Sequence, residues 1–232
     1  MDSTKRHARI AGAWYLLMAL TAPIGLLYVP SRLYVAGDAV ATADRLRASE
    51  GLLHLGIASE IVHQAIAVFL VLALFRLFRS VDELMAWHLV CLGALVSVPI
   101  MFLNVLNEIA AAVLVSGADF LAVFDRDQLN ALAYLFLRLH GQGITLASVF
   151  WGLWLFPFGV LVIRSGFIPS VLGYLLLIAG GAYLASAFTT LVLPQYAAGV
   201  GQVASILEIA EVPIVFWLAI WGARTPRPSS AD

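Results

Sequence analysis

Long apolar segments are the feature that most restricts the fold of this chain. A bilayer core about 30 Å thick needs about 20 apolar residues in a helix to cross it. Six segments meet this requirement, and they cover residues 8–29, 52–78, 84–116, 128–163, 168–193 and 200–223. We therefore predict an all-α polytopic membrane protein, a six-transmembrane-helix bundle. Residues 1–223 are expected to form a single domain, and residues 224–232 a disordered cytoplasmic tail.

The composition agrees with this class and excludes others. Hydrophobic residues make up 62% of the chain and charged residues 12%, against about 45–50% and about 25% in an average soluble domain. The net charge of −1 argues against a nucleic-acid partner, which usually requires a basic patch. Cys91 is the only cysteine, so an internal disulfide is excluded. We expect the lipid bilayer as partner and no cofactor, and the oligomeric state stays open.

The positive charges predict an orientation in the membrane. Cytoplasmic loops carry an excess of Lys and Arg. One set of segment ends carries eight of these basic residues, which are Lys5, Arg6, Arg9, Arg76, Arg79, Arg164, Arg224 and Arg227. The opposite loops carry four, which are Arg32, Arg45, Arg47 and Arg126. We predict that both termini are cytoplasmic and that the protein resides in the inner (plasma) membrane. The apolar run from Ile10 to Val29 exceeds the about 7–15 residues of a signal peptide, so we predict a retained first span.

Local signals predict how the spans begin and bend. Residues 37–50 read as a short amphipathic helix with Asp38 as N-cap, and Asp125 and Gln128 have capping-box spacing before the fourth span. Small residues at 179–182 favour close helix packing in the fifth span. Prolines inside helices remove a backbone hydrogen bond and tend to kink them. Four prolines fall within the spans, at positions 23, 99, 157 and 213.

Ten strongly polar or ionisable residues interrupt the apolar segments and form the candidate site. A charge at the centre of a bilayer costs about 2.5–3.5 kcal/mol on insertion scales, so such residues pair, face a wet cavity or serve a function. Gln64 shares a helix face with two of them. With it, the predicted binding pocket consists of Glu60, His63, Gln64, Asn104, Asn107, Glu108, Arg138, His140, Gln142, Glu208 and Glu211.

Depth and facing suggest that these residues share one layer. At 1.5 Å per residue, Glu60, Glu108 and Glu208 each lie about 12 Å from the outer end of their segment. Spacings of three or four residues place the polar side chains of the second, third and sixth segments on shared faces. Arg138 and Gln142 share a face of the fourth segment. His140 points to another side of that segment and is the exception in facing.

Two of three open interpretations need no metal. The first is a structural network, in which Arg138 forms a salt bridge with Glu60 or Glu108. The carboxylates outnumber this one arginine, so others must be protonated or paired with histidine. The second is an outward-opening polar pocket in the outer half of the bilayer. Its protonatable Glu and His side chains would bind or transport a small or lipid-like molecule.

The third interpretation is a metal-dependent membrane enzyme. Glu60 and His63 form a Glu-x-x-His pair on one helix face, the ligand pattern of carboxylate metal sites in helix bundles. A mononuclear site would use His63, Glu60 and Glu108 as weak candidate ligands. No Gly-x-Ser-x-Gly motif and no phosphate-binding glycine loop is present. The sequence therefore leaves open whether the protein is an enzyme, and it identifies no catalytic residue.

Several stretches resemble a family of bacterial integral membrane proteins. They are Arg9-Ile-Ala-Gly-Ala-Trp-Tyr-Leu-Leu17, Gly37-Asp-Ala-Val-Ala-Thr42 and Leu139-His-Gly141. The most specific stretch runs from Phe150-Trp-Gly152 to Arg164-Ser-Gly-Phe-Ile-Pro169 and is followed by Leu172-Gly173. The chain resembles, over about residues 8–223, the family known as domain of unknown function number four-three-eight-six. The resemblance implies a multi-span membrane protein. It carries no activity and no catalytic residues to transfer.

Overall fold

Helices account for the regular structure of the chain in the computed structural model, which describes residues 3–224. Within that part of the chain no strand occurs, and six helices are long and apolar enough to cross a membrane. This confirms the predicted all-α polytopic membrane protein. The spans, first to sixth, are Ser3–Leu33, Glu50–Phe78, Glu83–Val115, Arg126–Ser165, Ser170–Val192 and Pro194–Ile220.

Several spans are longer than their apolar segments. The first begins at Ser3 rather than at residue 8, and the fourth covers 40 residues from Arg126 to Ser165. At 1.5 Å per residue the fourth span is about 60 Å long, roughly twice the thickness of a bilayer core. Helical hydrogen bonding continues through polar residues where apolar patterning stops, so hydropathy underestimates the helix ends. Of the predicted tail, residues 225–232 lie outside the described residues.

The capping signals are confirmed at both predicted sites. A connecting helix spans Ala39–Ala48, and the Asp38 carboxylate accepts a 2.8 Å hydrogen bond from the amide of Ala41. Before the fourth span, Asp125 accepts from the amide of Gln128 at 2.8 Å, and the Gln128 side chain accepts from the amide of Asp125 at 3.1 Å. These bonds satisfy amide groups that a helix start leaves without intrahelical partners.

Irregular helical turns interrupt three spans. A π-helical turn covers Ile24–Tyr28, directly after Pro23, and another covers Val90–Val96 in the third span. In the sixth span a 3₁₀ turn at Ile209–Glu211 precedes Pro213. Each missing proline N–H removes one bond from the α-helical ladder, which permits a wider or tighter turn nearby. Pro157 lies inside the uninterrupted fourth span.

The described residues divide into two compact units. Unit I contains residues 3–17, 66–98 and 145–224, and unit II contains residues 18–65 and 99–144. Every span except the fifth and sixth contributes to both units. The predicted single domain stays a prediction.

Unit I is held together by aromatic packing and by close contact between the fourth and fifth spans. Tyr15 and Phe158 are fully or almost fully buried, with ring centroids 6.3 Å apart. A Cβ atom built on Gly180 would lie 2.9 Å from the Gly152 carbonyl oxygen, closer than real side chains approach. The small residues of the fifth span therefore permit backbone contact, as predicted.

Unit II has an aliphatic core that joins the connecting helix to the spans. Leu46 of the connecting helix is fully buried against residues of the first four spans. Arg47 of the same helix donates a 2.6 Å hydrogen bond to the Asn130 side chain in the fourth span. The buried members of this core are Val29, Leu33, Leu46, Leu53, Ala111, Leu114, Leu121 and Ala133. Glu60, Glu108 and His140 lie in this unit.

Candidate functional site

Three ionisable side chains from three spans meet inside unit II. Glu60 comes from the second span, Glu108 from the third and His140 from the fourth, and each is at most 5% exposed. His140 Nε2 lies 3.1 Å from Glu60 Oε1 and 3.8 Å from Glu108 Oε1. One ligand-type atom from each residue lies within 4.8 Å of the other two. We call Glu60, Glu108 and His140 the buried triad.

Asn104 fixes the position of His140. Its side-chain amide donates a 2.9 Å hydrogen bond to the His140 carbonyl oxygen. In return, His140 Nδ1 lies 3.3 Å from the Asn104 carbonyl oxygen. A carbonyl oxygen is only an acceptor, so this contact places a hydrogen on Nδ1 and directs Nε2 toward the two carboxylates. Asn107 donates to Asn104 Oδ1 at 3.1 Å, which holds the Asn104 amide in this orientation.

A glycine makes the contact between the third and fourth spans possible. A Cβ atom on Gly143 would collide with the side-chain amide of Asn104. Gly143 follows His140 by three residues, so both face the third span. Gly25 has a similar role, because a Cβ there would lie 2.8 Å from Glu60 Cγ. The π-helical turn Ile24–Tyr28 of the first span therefore packs directly on Glu60.

The triad has more acceptor atoms than donors. Glu60 Oε2 and Glu108 Oε2 are buried and have no hydrogen-bond partner among residues 3–224. Burying a carboxylate without donors is expensive, so such groups neutralise, pair or coordinate a cation. With the ring hydrogen on Nδ1, Nε2 of a neutral His140 has no hydrogen to donate and faces the two carboxylates with a lone pair. The geometry thus supplies a small, negative, desolvated cluster for a positively charged group.

His140 faces away from Arg138 and Gln142, as predicted, but its side of the fourth span is the buried one. The side of the fourth span that carries Arg138 and Gln142 was expected to be the polar face, with His140 directed elsewhere. Both Arg138 and Gln142 are exposed, whereas His140 is buried. Arg138 interacts with the hydroxyl of Tyr134, and the predicted salt bridge from Arg138 to Glu60 or Glu108 is wrong. The physical reason is that a long arginine side chain reaches solvent or head groups more cheaply than it is buried.

His63 also lies elsewhere than the predicted metal site requires. Its Nδ1 atom is 3.1 Å from the Thr21 hydroxyl of the first span, and the side chain is half-buried. The ligand set of Glu60, His63 and Glu108 is therefore wrong in its histidine, since the described ligand group contains His140 instead. Gln64, one residue further along, is buried.

The two glutamates of the sixth span belong to unit I. Glu211 accepts a hydrogen bond from the hydroxyl of Tyr15 and interacts with that of Tyr183. Glu208 lies one turn earlier and is partly exposed. Tyr15 and Tyr183 were not identified from the sequence, because a tyrosine in an apolar span is indistinguishable from an ordinary core residue. The triad thus draws on the second, third and fourth spans, and the glutamates of the sixth span are not part of it.

Residues missed by the sequence patterns include Thr21, Gly25 and Gly143. Gly143 carried a usable signal, since it lies one turn from His140 on the same face. Gly25 and Thr21 carried none, because contacts of the first span depend on tertiary packing.

Comparisons with known proteins agree with the resemblance seen in the sequence. The family described as "Domain of unknown function (DUF4386)" matches residues 10–222. No curated protein and no solved structure matches the chain.

Proposed function

Since the chain belongs to the DUF4386 family, whose description assigns no activity, we propose its function from the triad: it binds a small cation within the membrane. The observation that carries this proposal is the pair of buried carboxylate oxygens, Glu60 Oε2 and Glu108 Oε2, for which the described part of the chain supplies no donor. The three ligand-type atoms lie within 4.8 Å of one another, so the bound group is a single ion or one ammonium head.

The charge balance supports a cation over a neutral ligand. Glu60 and Glu108 are each buried inside an apolar span, and Glu60 lies ten residues, about 15 Å, from the start of its helix at Glu50. No lysine or arginine lies within 4 Å of either carboxylate in the part of the chain that the structure describes. A cation therefore completes an otherwise unbalanced cluster, which a neutral solute does not.

A panel of cations tests this function on purified protein in detergent. Divalent metals, primary amines and quaternary ammonium ions are compared with neutral analogues by thermal unfolding. A cation at 100 times its Kd stabilises the folded state by about 2.7 kcal/mol. This corresponds to a rise of about 5–10 °C in Tm for a chain of this size.

Isosteric variants show which residues are responsible for the rise in Tm. Glu60→Gln and Glu108→Gln remove charge at nearly constant volume and are expected to abolish the response, whereas His63→Gln on the same helix is expected to keep it. If the triad is only a structural network, the two glutamine variants lower Tm and no cation shifts the wild type. That result contradicts the proposal.

Translocation of the cation is a second candidate, favoured by the irregular backbone beside Glu60. Interrupted helices line the substrate sites of many transporters, where unwound turns supply polar backbone groups. The π-helical turn Ile24–Tyr28 contacts Glu60 through Gly25. Reconstituted vesicles are expected to accumulate the cation identified above, and Glu108→Gln vesicles are not. Tight binding without accumulation would restrict the function to binding.

The location and orientation of the protein are also part of the proposal. The excess of Lys and Arg at the ends that include both termini supports cytoplasmic termini in a plasma membrane. In that orientation the triad is nearer the outer ends of the second and third spans, and we propose that a cation reaches it from the outer side.

A further inference from the structure

We infer that the cation bound by the triad is a divalent transition metal, with His140 Nε2 and one oxygen each of Glu60 and Glu108 as ligands. This inference rests on the proposed function and names the ligand class. Bonds of about 2.0–2.2 Å to one metal leave neighbouring ligand atoms about 3–4 Å apart. The measured separations of 3.1 and 3.8 Å from His140 Nε2 to the two carboxylates have this size.

The surroundings of His140 provide independent support. A histidine that ligates a metal almost always donates its other ring N–H to a carboxylate, a carbonyl oxygen or water, which fixes the tautomer and the ring plane. His140 Nδ1 faces the Asn104 carbonyl oxygen at 3.3 Å, and Asn104 bonds back to the His140 carbonyl at 2.9 Å. Asn104 is therefore a positioning residue, and it directs Nε2 toward the two carboxylates.

The two carboxylates provide the remaining ligand atoms and the negative charge. Each side chain is at least 96% buried, and each retains one oxygen with no partner within the residues that the structure describes. Such an oxygen is available for bidentate coordination or for a metal-bound water. Two carboxylates neutralise the charge of a divalent ion, which is the condition for holding it in a low-dielectric interior.

The donor atoms also restrict which metal ions the triad can bind. One imidazole nitrogen with two carboxylates suits zinc, manganese, iron(II) or cobalt(II). Calcium and magnesium prefer sites made of oxygen alone, and copper(I) prefers sulfur. The single cysteine, Cys91, is exposed in unit I and is not a member of the triad.

Cobalt(II) is a suitable probe because its visible spectrum reports ligand geometry. Purified full-length protein in lipid nanodiscs is stripped with a chelator and titrated with cobalt(II). We expect one equivalent to bind with visible d–d bands of a nitrogen- and oxygen-ligated ion, and zinc to displace it. Glu108→Gln and His140→Gln are expected to weaken binding at least 100-fold. The control His63→Gln is expected to leave it unchanged.

X-ray absorption on the wild-type protein keeps the test valid if a triad variant does not fold. One imidazole in the cobalt shell is expected, and a shell with none overturns the inference. Unchanged binding in folded Glu108→Gln protein overturns it as well. If amines stabilise the wild type through the triad while cobalt(II) and zinc do not bind, the metal inference fails and the proposed function stands. If neither metals nor amines act through the triad, both fail.

Discussion

His140 is the residue on which the buried triad depends, because it contacts both carboxylates and the neighbouring span at once. Its ring has Nε2 at 3.1 Å from Glu60 and Nδ1 at 3.3 Å from a backbone carbonyl of the third span. Each ring nitrogen thus makes its own contact, and a small displacement of the fourth span disturbs both contacts. The geometry of the site is therefore set by the packing of two helices as much as by the three charged side chains.

A substitution at Gly143 tests whether helix packing sets the geometry of the site. A methyl group there collides with the Asn104 amide, so Gly143→Ala must displace that side chain from its hydrogen bonds or separate the third and fourth spans locally. We expect a loss of about 1–3 kcal/mol in the free energy of unfolding, as for other overpacked interiors. The control Gly141→Ala places its methyl group where no atom lies within 4 Å and is expected to be neutral. Thermal unfolding of both variants measures the difference, and equal Tm values would show that the contact is not tight.

Individual site residues were only partly predictable from the sequence. A buried charge is visible in an apolar run whatever its partners, which is why Glu60 and Glu108 were selected. The face of the fourth span was misjudged because Arg138 and Gln142 outnumber His140 there. Polar residues on a membrane helix mark either a buried site or the head-group region, and periodicity alone does not distinguish these. His63 was selected as a ligand only because it follows Glu60 by three residues. That spacing gives no information about the Thr21 hydroxyl of the first span, which His63 contacts instead.

At the level of helices, glycine pairs decide which spans approach most closely. Gly152 and Gly180 face each other across the fourth and fifth spans, with a Cβ on either lying 2.9 Å from the opposite carbonyl oxygen. Gly159 and Gly173 repeat this contact further along, at 2.7 and 2.6 Å. In lipid, helices associate through such close packing because the hydrophobic effect does not drive them together.

The adjacent glycines of the fifth span make a matched pair of test positions. Gly180 is buried against Gly152, whereas a Cβ on Gly181 meets nothing within 4 Å. Gly180→Leu is expected to lower the free energy of unfolding by about 1–3 kcal/mol or more, and Gly181→Leu to change it little. Chemical denaturation in mild detergent measures both. A larger effect at Gly181 would mean that the fifth span packs with its other face.

The sequence predicted helix number and caps well for physical reasons. A run of about 20 apolar residues has few stable structures other than a transmembrane helix. Asp38 and Asp125 lie at the N-cap positions, where the first amides of a helix need a hydrogen-bond acceptor. The π-helical turns were not predicted. Proline marks a place where the α-helical ladder is weak, but tertiary packing decides whether the turn widens, tightens or stays regular, as at Pro157.

For the whole molecule, the distribution of positive charge determines the orientation we propose. Ser116 begins a loop expected outside the cell, Ser80 lies in a loop expected inside, and both are exposed. In a Cys91→Ser background, Ser116→Cys is expected to react with a membrane-impermeant maleimide on intact cells. Ser80→Cys is expected to react only after the membrane is permeabilised. The opposite labelling pattern would reverse the proposed orientation.

Anomalous diffraction from crystals grown with cobalt(II) tests the central claim, that the triad forms one cation site. The account predicts a single strong peak within about 2–2.5 Å of His140 Nε2 and of both carboxylates, as metal–ligand bond lengths require. It also predicts that Asn104 still bonds to the His140 backbone. A structure in which Glu60, Glu108 and His140 point apart, or in which the peak lies elsewhere and leaves the triad without a cation, would contradict the account.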